Sequence, residues 1–251
     1  MPSTSEILID ILAGARRDRS LIELANLPVP ATQDGGLAVQ AEIAKRLGQD
    51  IAGWKVAIAE DGSPVAGIMP GPYLKPGDTY EGAIGAEVRV EIEIALRLAQ
   101  DVPLRPDRPY SRAELLGLCD KAYLGIELVE SRISGWHGQV AFPLWLCDAM
   151  GHGGYILGSE LHLGVLDDVS GLNCLIALNG VTIYDKPAVH GNGDPMAPFL
   201  AWANRRSDAL GPLKAGQIVT TGSLCGGVLA PGKGEVSTRL KPQGDVAFTL
   251  R

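Results

Sequence analysis

The sequence has no run approaching the ~20 apolar residues of a membrane-spanning helix. It also has no excess of basic charge, since 22 Lys and Arg face 29 Asp and Glu. The resulting formal net charge of −7 speaks against a nucleic-acid-binding surface or an anionic-membrane partner. No cysteine pair has metal-finger or redox-motif spacing: Cys119, Cys147, Cys174 and Cys225 are far apart, in apolar stretches such as "LWLCDAM" and "LNCLIAL". They read as buried free thiols. GxGxxG and P-loop spacings are missing, as are internal repeats and low-complexity tracts, which removes the usual sequence signs of nucleotide binding. The amino terminus, "MPSTSEILIDILAGARRDRS", shows no basic start followed by an apolar core, so it does not read as a secretory signal and a cytoplasmic location is expected.

What is present describes a soluble globular chain. At 251 residues, 46% hydrophobic and 20% charged, it can build one large domain or one domain with a small appendage. Its 32 glycines and 17 prolines imply many turns and a β-rich body. Residues 3–19 and 37–48 have helical apolar spacing (Ile7, Leu8, Ile11 and Leu12; then Val39, Ile43 and Leu47), with Ser3 or Thr4 as a cap. "IAGWKVAIA" (51–59) is the first strand, and the glycine- and proline-dense 61–78 reads as a loop or lid. Strands follow in "VRVEIEIALRLA", "LGIELVESRI", "GYILGSEL", "NCLIALNGVTIYD", "QIVTTGSL" and "DVAFTL", the Asn-Gly of the fourth marking a hairpin. Residues 112–123, "FPLWLCDAM" and 196–210 read as helices. The expected fold class is α+β: a small helical amino-terminal portion (1–50) and a mixed β-rich body (51–251).

"VRVEIEIALRL" carries the first chemical question. Val88, Val90, Ile92, Ile94, Leu96 and Leu98 share one parity, and Arg89, Glu91, Glu93, Ala95 and Arg97 share the other. Side chains two apart on a strand leave the same face about 7 Å from each other. Either that face is wet, with the arginines neutralising the acids, or Glu91 and Glu93 are aimed at one cation. Glu127, in the apolar run of "GIELVESRI", is a third acid that needs a partner if buried; Glu130 and Arg132 suit a polar rim. Three carboxylates from two strands can hold a hard divalent ion such as Mg²⁺ or Mn²⁺ and leave positions for water and substrate. In "GWKVAI", parity sets Lys55 with the small Ala57 and Ala59. It is either a lysine reaching the surface along its own stem or a cation beside the metal.

In order, "GWKV", "VEIEIALRL", "IELVESRI", "GGYILG" and "LKAGQIVTTGSL" resemble the fumarylacetoacetate hydrolase superfamily, in its branch of 2-keto-4-pentenoate hydratases and 4-oxalocrotonate decarboxylases. The resemblance implies one Mg²⁺ or Mn²⁺ held by Glu91, Glu93 and Glu127, with Lys55 as the active-site lysine. It implies a metal-dependent lyase acting on a small 2-oxo or 2-hydroxy-dienoate acid through a metal-stabilised enolate, a hydratase of aromatic-compound catabolism, in a homo-oligomer. The loop after the lysine strand, "GIMPGPYL", has proline near the family's Asp, and Asp78 comes several residues late. His152, flanked by glycines in "DAMGHGG", belongs either to a surface loop or to the ligand site, where an imidazole can replace that Asp as general base. His137, His162 and His190 read as surface or structural. Thr221, Gly222 and Ser223 in "VTTGSL" suit a carboxylate-holding turn. The competing chemistries are decarboxylation, with Arg132 or Lys186 for a second carboxylate, and hydrolysis of an acylpyruvate carbon–carbon bond. A non-catalytic subunit that keeps the fold is the remaining reading.

Overall fold

The computed structural model describes residues 3–205 and 208–251. Two helices lead the chain. In α1 (Thr4–Asp18) the Ser3 hydroxyl accepts from the Glu6 N–H while the Glu6 carboxylate accepts from the Ser3 N–H, a reciprocal cap. The next helix, α2 (Gln33–Arg46), starts earlier than its apolar spacing predicts, because the Thr32 side chain accepts from the Gly35 N–H. The shorter helices are α3 (Arg112–Leu116), α4 (Phe142–Cys147) and α5 (Ala197–Ala203).

The strands are β1 (Ile51–Ile58), β2 (Pro64–Pro70), β3 (Thr79–Tyr80), β4 (Arg89–Leu98), β5 (Cys119–Val129), β6 (His152–Leu161), β7 (Asn173–Leu178), β8 (Val181–Pro187), β9 (Ile218–Ser223), β10 (Val228–Leu229), β11 (Gly234–Lys241) and β12 (Gly244–Leu250). One sheet runs β2-β1-β9-β4-β5-β6, with β10 beside β4, and a second runs β3-β12-β11-β7-β8. The first sheet wraps until its edges meet: just past β2, the Leu74 N–H donates to the Tyr155 carbonyl at 2.9 Å, and the Leu74 carbonyl accepts from the Leu157 N–H at 3.2 Å. On the outer face, Val90, Ile92, Ile94 and Leu96 join Val236, Leu240, Val246 and Phe248 of the second sheet, and Leu8, Leu12, Val39 and Ile43 of the helices, in one buried cluster. The inner face carries a smaller cluster of Met69, Ala95, Tyr155 and Ile218, packed with Tyr73, Tyr123 and Leu157.

This is the α+β, β-rich architecture expected, with local differences. Residues 61–78 are not all loop: β2 lies among them, antiparallel to β1, because Val65–Met69 is an apolar run buried in the sheet. The helix expected over 112–123 stops at Leu116, and the chain enters β5 at Cys119. Strand β11 is an addition to the expected strands; only Val236, Thr238 and Leu240 of it are buried, a weak apolar signal. Of the helix expected over 196–210 only α5 forms, and Arg206 and Ser207 lie outside the described residues. Cys119, Cys147 and Cys174 are buried free thiols and Cys225 is half-buried. Among the described residues, no helix is long and apolar enough to cross a membrane.

Glu130 and Arg132 do not form a polar rim. They are 2% and 5% exposed, because each has buried partners. Glu130 accepts from the Tyr80 hydroxyl at 2.6 Å and the Ala83 N–H at 2.7 Å. Arg132 donates from Nε to Asp148 Oδ1 at 3.0 Å and from Nη2 to the His152 carbonyl at 2.8 Å. Arg16 of α1 donates to the same Asp148 oxygen at 2.9 Å. Two guanidiniums thus share one fully buried carboxylate. Removing one member of a buried ion cluster leaves uncompensated charge, which costs roughly 3–5 kcal/mol. Asp148→Asn is therefore expected to lower unfolding stability by about that amount, measured by urea denaturation, with α1 the first element to lose amide-exchange protection.

Candidate functional site

Register assembles the site. Within the first sheet Glu91 pairs with Glu127, and Glu93 with Gly125. Glu127 in turn pairs with Tyr155, and Lys55 with Thr220. Directly paired residues share a face, so all these side chains enter the interior of the wrapped sheet. Small residues make the room. Were Gly125 given a side chain it would meet the Tyr155 ring. At Gly67 a Cβ would lie 2.8 Å from Lys55 Cγ and 2.7 Å from the Ala149 carbonyl, so only glycine lets the lysine lie across β2.

Carboxylate oxygens of Glu91, Glu93 and Glu127 all lie within 4.8 Å of one another. The face is not wet: Glu93 is 1% and Glu127 0% exposed. The strand's arginines are engaged elsewhere, and Arg89 offsets the Glu91 charge only as the smallest of the causes acting on it. Arg97 pairs with Asp120, while the Arg89 guanidinium stacks over Trp136 at 4.2 Å and donates to the Gly227 carbonyl. Lys55 Nζ is the cation in contact, 2.8 Å from Glu127 Oε1 and 3.2 Å from the Met150 carbonyl. His152 Nδ1 approaches the same Glu127 oxygen at 3.0 Å. The second oxygens of Glu93 and Glu127, and the hydroxyls of Tyr155 and Thr220, are buried with no hydrogen-bond partner.

The electrostatics follow from this crowding. Burial and the neighbouring Glu127 charge push Glu91 up to about 7. Glu93 is raised well above the usual carboxylate range by burial, then by Glu127 and Glu91. Glu127 behaves oppositely: burial raises it, but Lys55 and His152 outweigh burial and hold it low. Burial lowers Lys55, yet the charges of Glu127 and Glu91 leave it raised. His152 is lowered, chiefly by burial. The set therefore holds one committed carboxylate and two that resist ionising together without more positive charge. Unpaired buried carboxylate oxygens at this separation fit a hard divalent cation.

Above the carboxylates opens a cleft of about 890 Å³, lined by Lys55, Glu91, Glu93, Thr220, Gly222 and Ser223, and by an aromatic wall of Trp136, Phe142 and Trp145.

The chain is 31% identical over 161 residues to a 2-keto-4-pentenoate hydratase of Paraburkholderia phymatum, covering 63% of this chain and 58% of that protein. It is 29% identical over 163 residues to another so named from Burkholderia vietnamiensis, covering 64% and 60%. It thus spans about three fifths of the length of the curated relatives it matches. In fold it is similar to 4-oxalocrotonate decarboxylase from Pseudomonas putida G7, solved with magnesium and adipate. The TM-score is 0.80 over 98% of this chain and 97% of that one, at 16% identity. In fold, and over about three fifths of its length in sequence, the chain is similar to these enzymes. No protein-family model matches it.

The structure brings together Glu91, Glu93, Glu127 and Lys55, with Gly222 and Ser223 at the cleft. It places other expected residues elsewhere. Thr221 sends its hydroxyl to the Ile94 carbonyl at 3.0 Å, and Thr220, one residue away, lines the cleft instead. Arg132 is engaged with Asp148 behind the site and does not line the cleft. Lys186 is exposed on β8. His152 is 3% exposed and sits behind Glu127 rather than in the cleft wall, so its contact is with a carboxylate. His190 is structural: its Nε2–H donates to the Thr221 carbonyl at 2.8 Å and its Nδ1 accepts from the Asn192 N–H. Residues the sequence reading missed are Thr220, Tyr155 and the aromatic wall. Thr220 was findable only from its pairing with Lys55.

A pH dependence follows. In the metal-free protein Glu91 and Glu93 keep protons that the unfolded chain releases near the ordinary carboxylate value of ~4.3. Stability from these two raised groups is full below that value and is lost as pH climbs towards about 7 for Glu91 and beyond for Glu93. The depressed Glu127 acts in the opposite sense, its contribution being lost as pH falls below the ordinary range. In chelator, the melting temperature is therefore expected to fall by several degrees between pH 5 and pH 7.5, followed by calorimetry. The double variant Glu91→Gln/Glu93→Gln should flatten the slope.

Proposed function

We propose that this chain is a divalent-metal-dependent hydro-lyase of the 2-keto-4-pentenoate hydratase type, acting on a small 2-oxo or 2-hydroxy-dienoate acid. The observation that carries this reading is the convergence of three carboxylates, two with unpartnered buried oxygens, on the floor of a cleft whose wall holds a single lysine. Support comes also from the hydratase names of the curated relatives and from the magnesium bound in the similar decarboxylase structure.

Glu91, Glu93 and Glu127 would hold the ion, Mg²⁺ or Mn²⁺, through oxygen donors. When bound, a divalent cation supplies Lewis acidity to the substrate's carboxylate and 2-oxygen. Lys55 is held protonated by its carboxylate neighbours, so its Nζ is a proton donor and a counter-charge for the 2-oxygen, not a base. Glu127 Oε1, shared by Lys55 and His152, fixes both side chains and stays ionised, so the amine left when Nζ gives its proton to the substrate remains hydrogen-bonded to it. His152 is a positioning residue here: it braces Glu127 from behind. Buried under the aromatic wall, the reacting end is shielded from bulk water, which strengthens each of these charge interactions. Gly222 and Ser223, at the end of β9, also line the cleft, where their main-chain N–H groups can take a carboxylate oxygen.

Two measurements test the reading. Glu91→Gln/Glu93→Gln should lose bound Mn²⁺ by electron paramagnetic resonance titration and lose turnover of 2-hydroxypenta-2,4-dienoate by more than ~10³-fold, the scale of removing a main electrostatic stabiliser, while keeping its far-ultraviolet dichroism. Metal-dependent turnover surviving in that variant would reject the proposal. Lys55→Met should retain Mn²⁺ binding yet lower kcat by ~10²–10⁴-fold, the range for removing a proton-transferring group.

A further inference from the structure

We infer that the cleft accepts a substrate whose far end is uncharged and apolar, and that it selects against a second carboxylate. This rests on the reading above, in which the near end of the substrate is a 2-oxo acid seated at the three glutamates.

Space is the first observation. A five-carbon 2-oxo acid displaces about five waters, at ~30 Å³ each, whereas the cleft offers about 890 Å³. The cleft therefore holds several times the volume that such an acid fills. The character of the remaining wall is the second. It is built from Trp136, Val140, Phe142 and Trp145 on one side and Ala57 and Ile58 on the other. Its rings are already set edge to face: Trp136 against Trp145 at 5.6 Å and 70°, and His137 against Phe142 at 6.2 Å and 89°. A planar apolar group entering beside them extends the same edge-to-face packing.

Charge is the third. Among the described residues lining the cleft, Lys55 is the only lysine or arginine, and it is committed to Glu127 at 2.8 Å. Arg89 is stacked on Trp136 and bonded to the Gly227 carbonyl, and does not line the cleft. The charged residues that do stand at the mouth are Glu60 and Asp61, both exposed acids. A second carboxylate drawn into this space would lose water and gain no cation, with two like charges at the entrance whose effect shrinks as salt is added. The geometry thus separates the two ends of the ligand: anionic at the floor, neutral and apolar at the wall.

Titration calorimetry of the full chain in Mg²⁺, at pH 8 and low salt, distinguishes the outcomes with four stable probes: pyruvate, 2-oxohexanoate, 4-phenyl-2-oxobutanoate and 2-oxohexanedioate. Expected are metal-dependent binding of pyruvate, at least ~10-fold tighter binding of the phenyl acid, and at least ~10-fold weaker binding of the diacid than of 2-oxohexanoate, a tenfold step being 1.4 kcal/mol. Phe142→Ala and, separately, Trp136→Ala should each shrink the phenyl-to-pyruvate affinity ratio by at least threefold. If pyruvate binds but the order is flat, or the diacid binds best, the inference is overturned while the hydro-lyase reading stands. If no probe binds with metal present, both fall together.

Discussion

Mutual repulsion among three buried carboxylates is the constraint around which this protein is arranged. Glu91, Glu93 and Glu127 are brought within 4.8 Å of one another by strand register, in an interior where charge is poorly solvated. The fold supplies one lysine against three acids. That shortfall holds Glu127 ionised and leaves Glu91 and Glu93 resisting ionisation. An interior so unbalanced is poor for stability and good for holding a doubly charged cation, because the cation's binding energy includes the relief of the repulsion.

The rest of the molecule can be understood as the means of keeping that imbalance in place. The wrapped sheet buries its outer face under the second sheet and the helices, so the strands cannot spread to separate the acids. On the inner face, Gly125 gives its space to the Tyr155 ring and Gly67 to the Lys55 stem. Behind the site, the Arg16–Asp148–Arg132 cluster ties α1 to the end of α4, and Arg132 holds the His152 carbonyl. His152 in turn reaches Glu127 from the side away from the cleft. A buried charge network of this kind adds little net stability; here it sets the position of a carboxylate.

Much of the site could be read before any coordinates. The parity of "VRVEIEIALRL" and the solitary charge of "GWKVAI" are local properties with a period of two, and both survive in the fold. The Thr221 assignment failed by one residue. In a strand such a slip turns a side chain to the opposite face, and "VTTGSL" alone contains nothing to choose between Thr220 and Thr221. Arg132 and Glu130 look like surface residues because charged side chains usually are; their burial depends on Asp148, Tyr80 and Ala83, from distant stretches. His152 was expected either in a surface loop or against the ligand as an acid/base; the structure instead sets it against Glu127, outside the cleft lining.

By itself, then, the sequence determined which strands form the floor and which of their side chains point the same way, since alternation is a property of a few consecutive residues. Only the tertiary structure decided that this polar face is interior, that Lys55 crosses to Glu127, and that, among the described residues, the cleft is lined by aromatic rings and no second lysine or arginine. Each of those depends on how the sheet closes through Leu74 and on what segments far apart in the chain bring to it. Solvation of a face belongs to the assembled molecule: the same two glutamates would be ordinary surface charges on an open sheet.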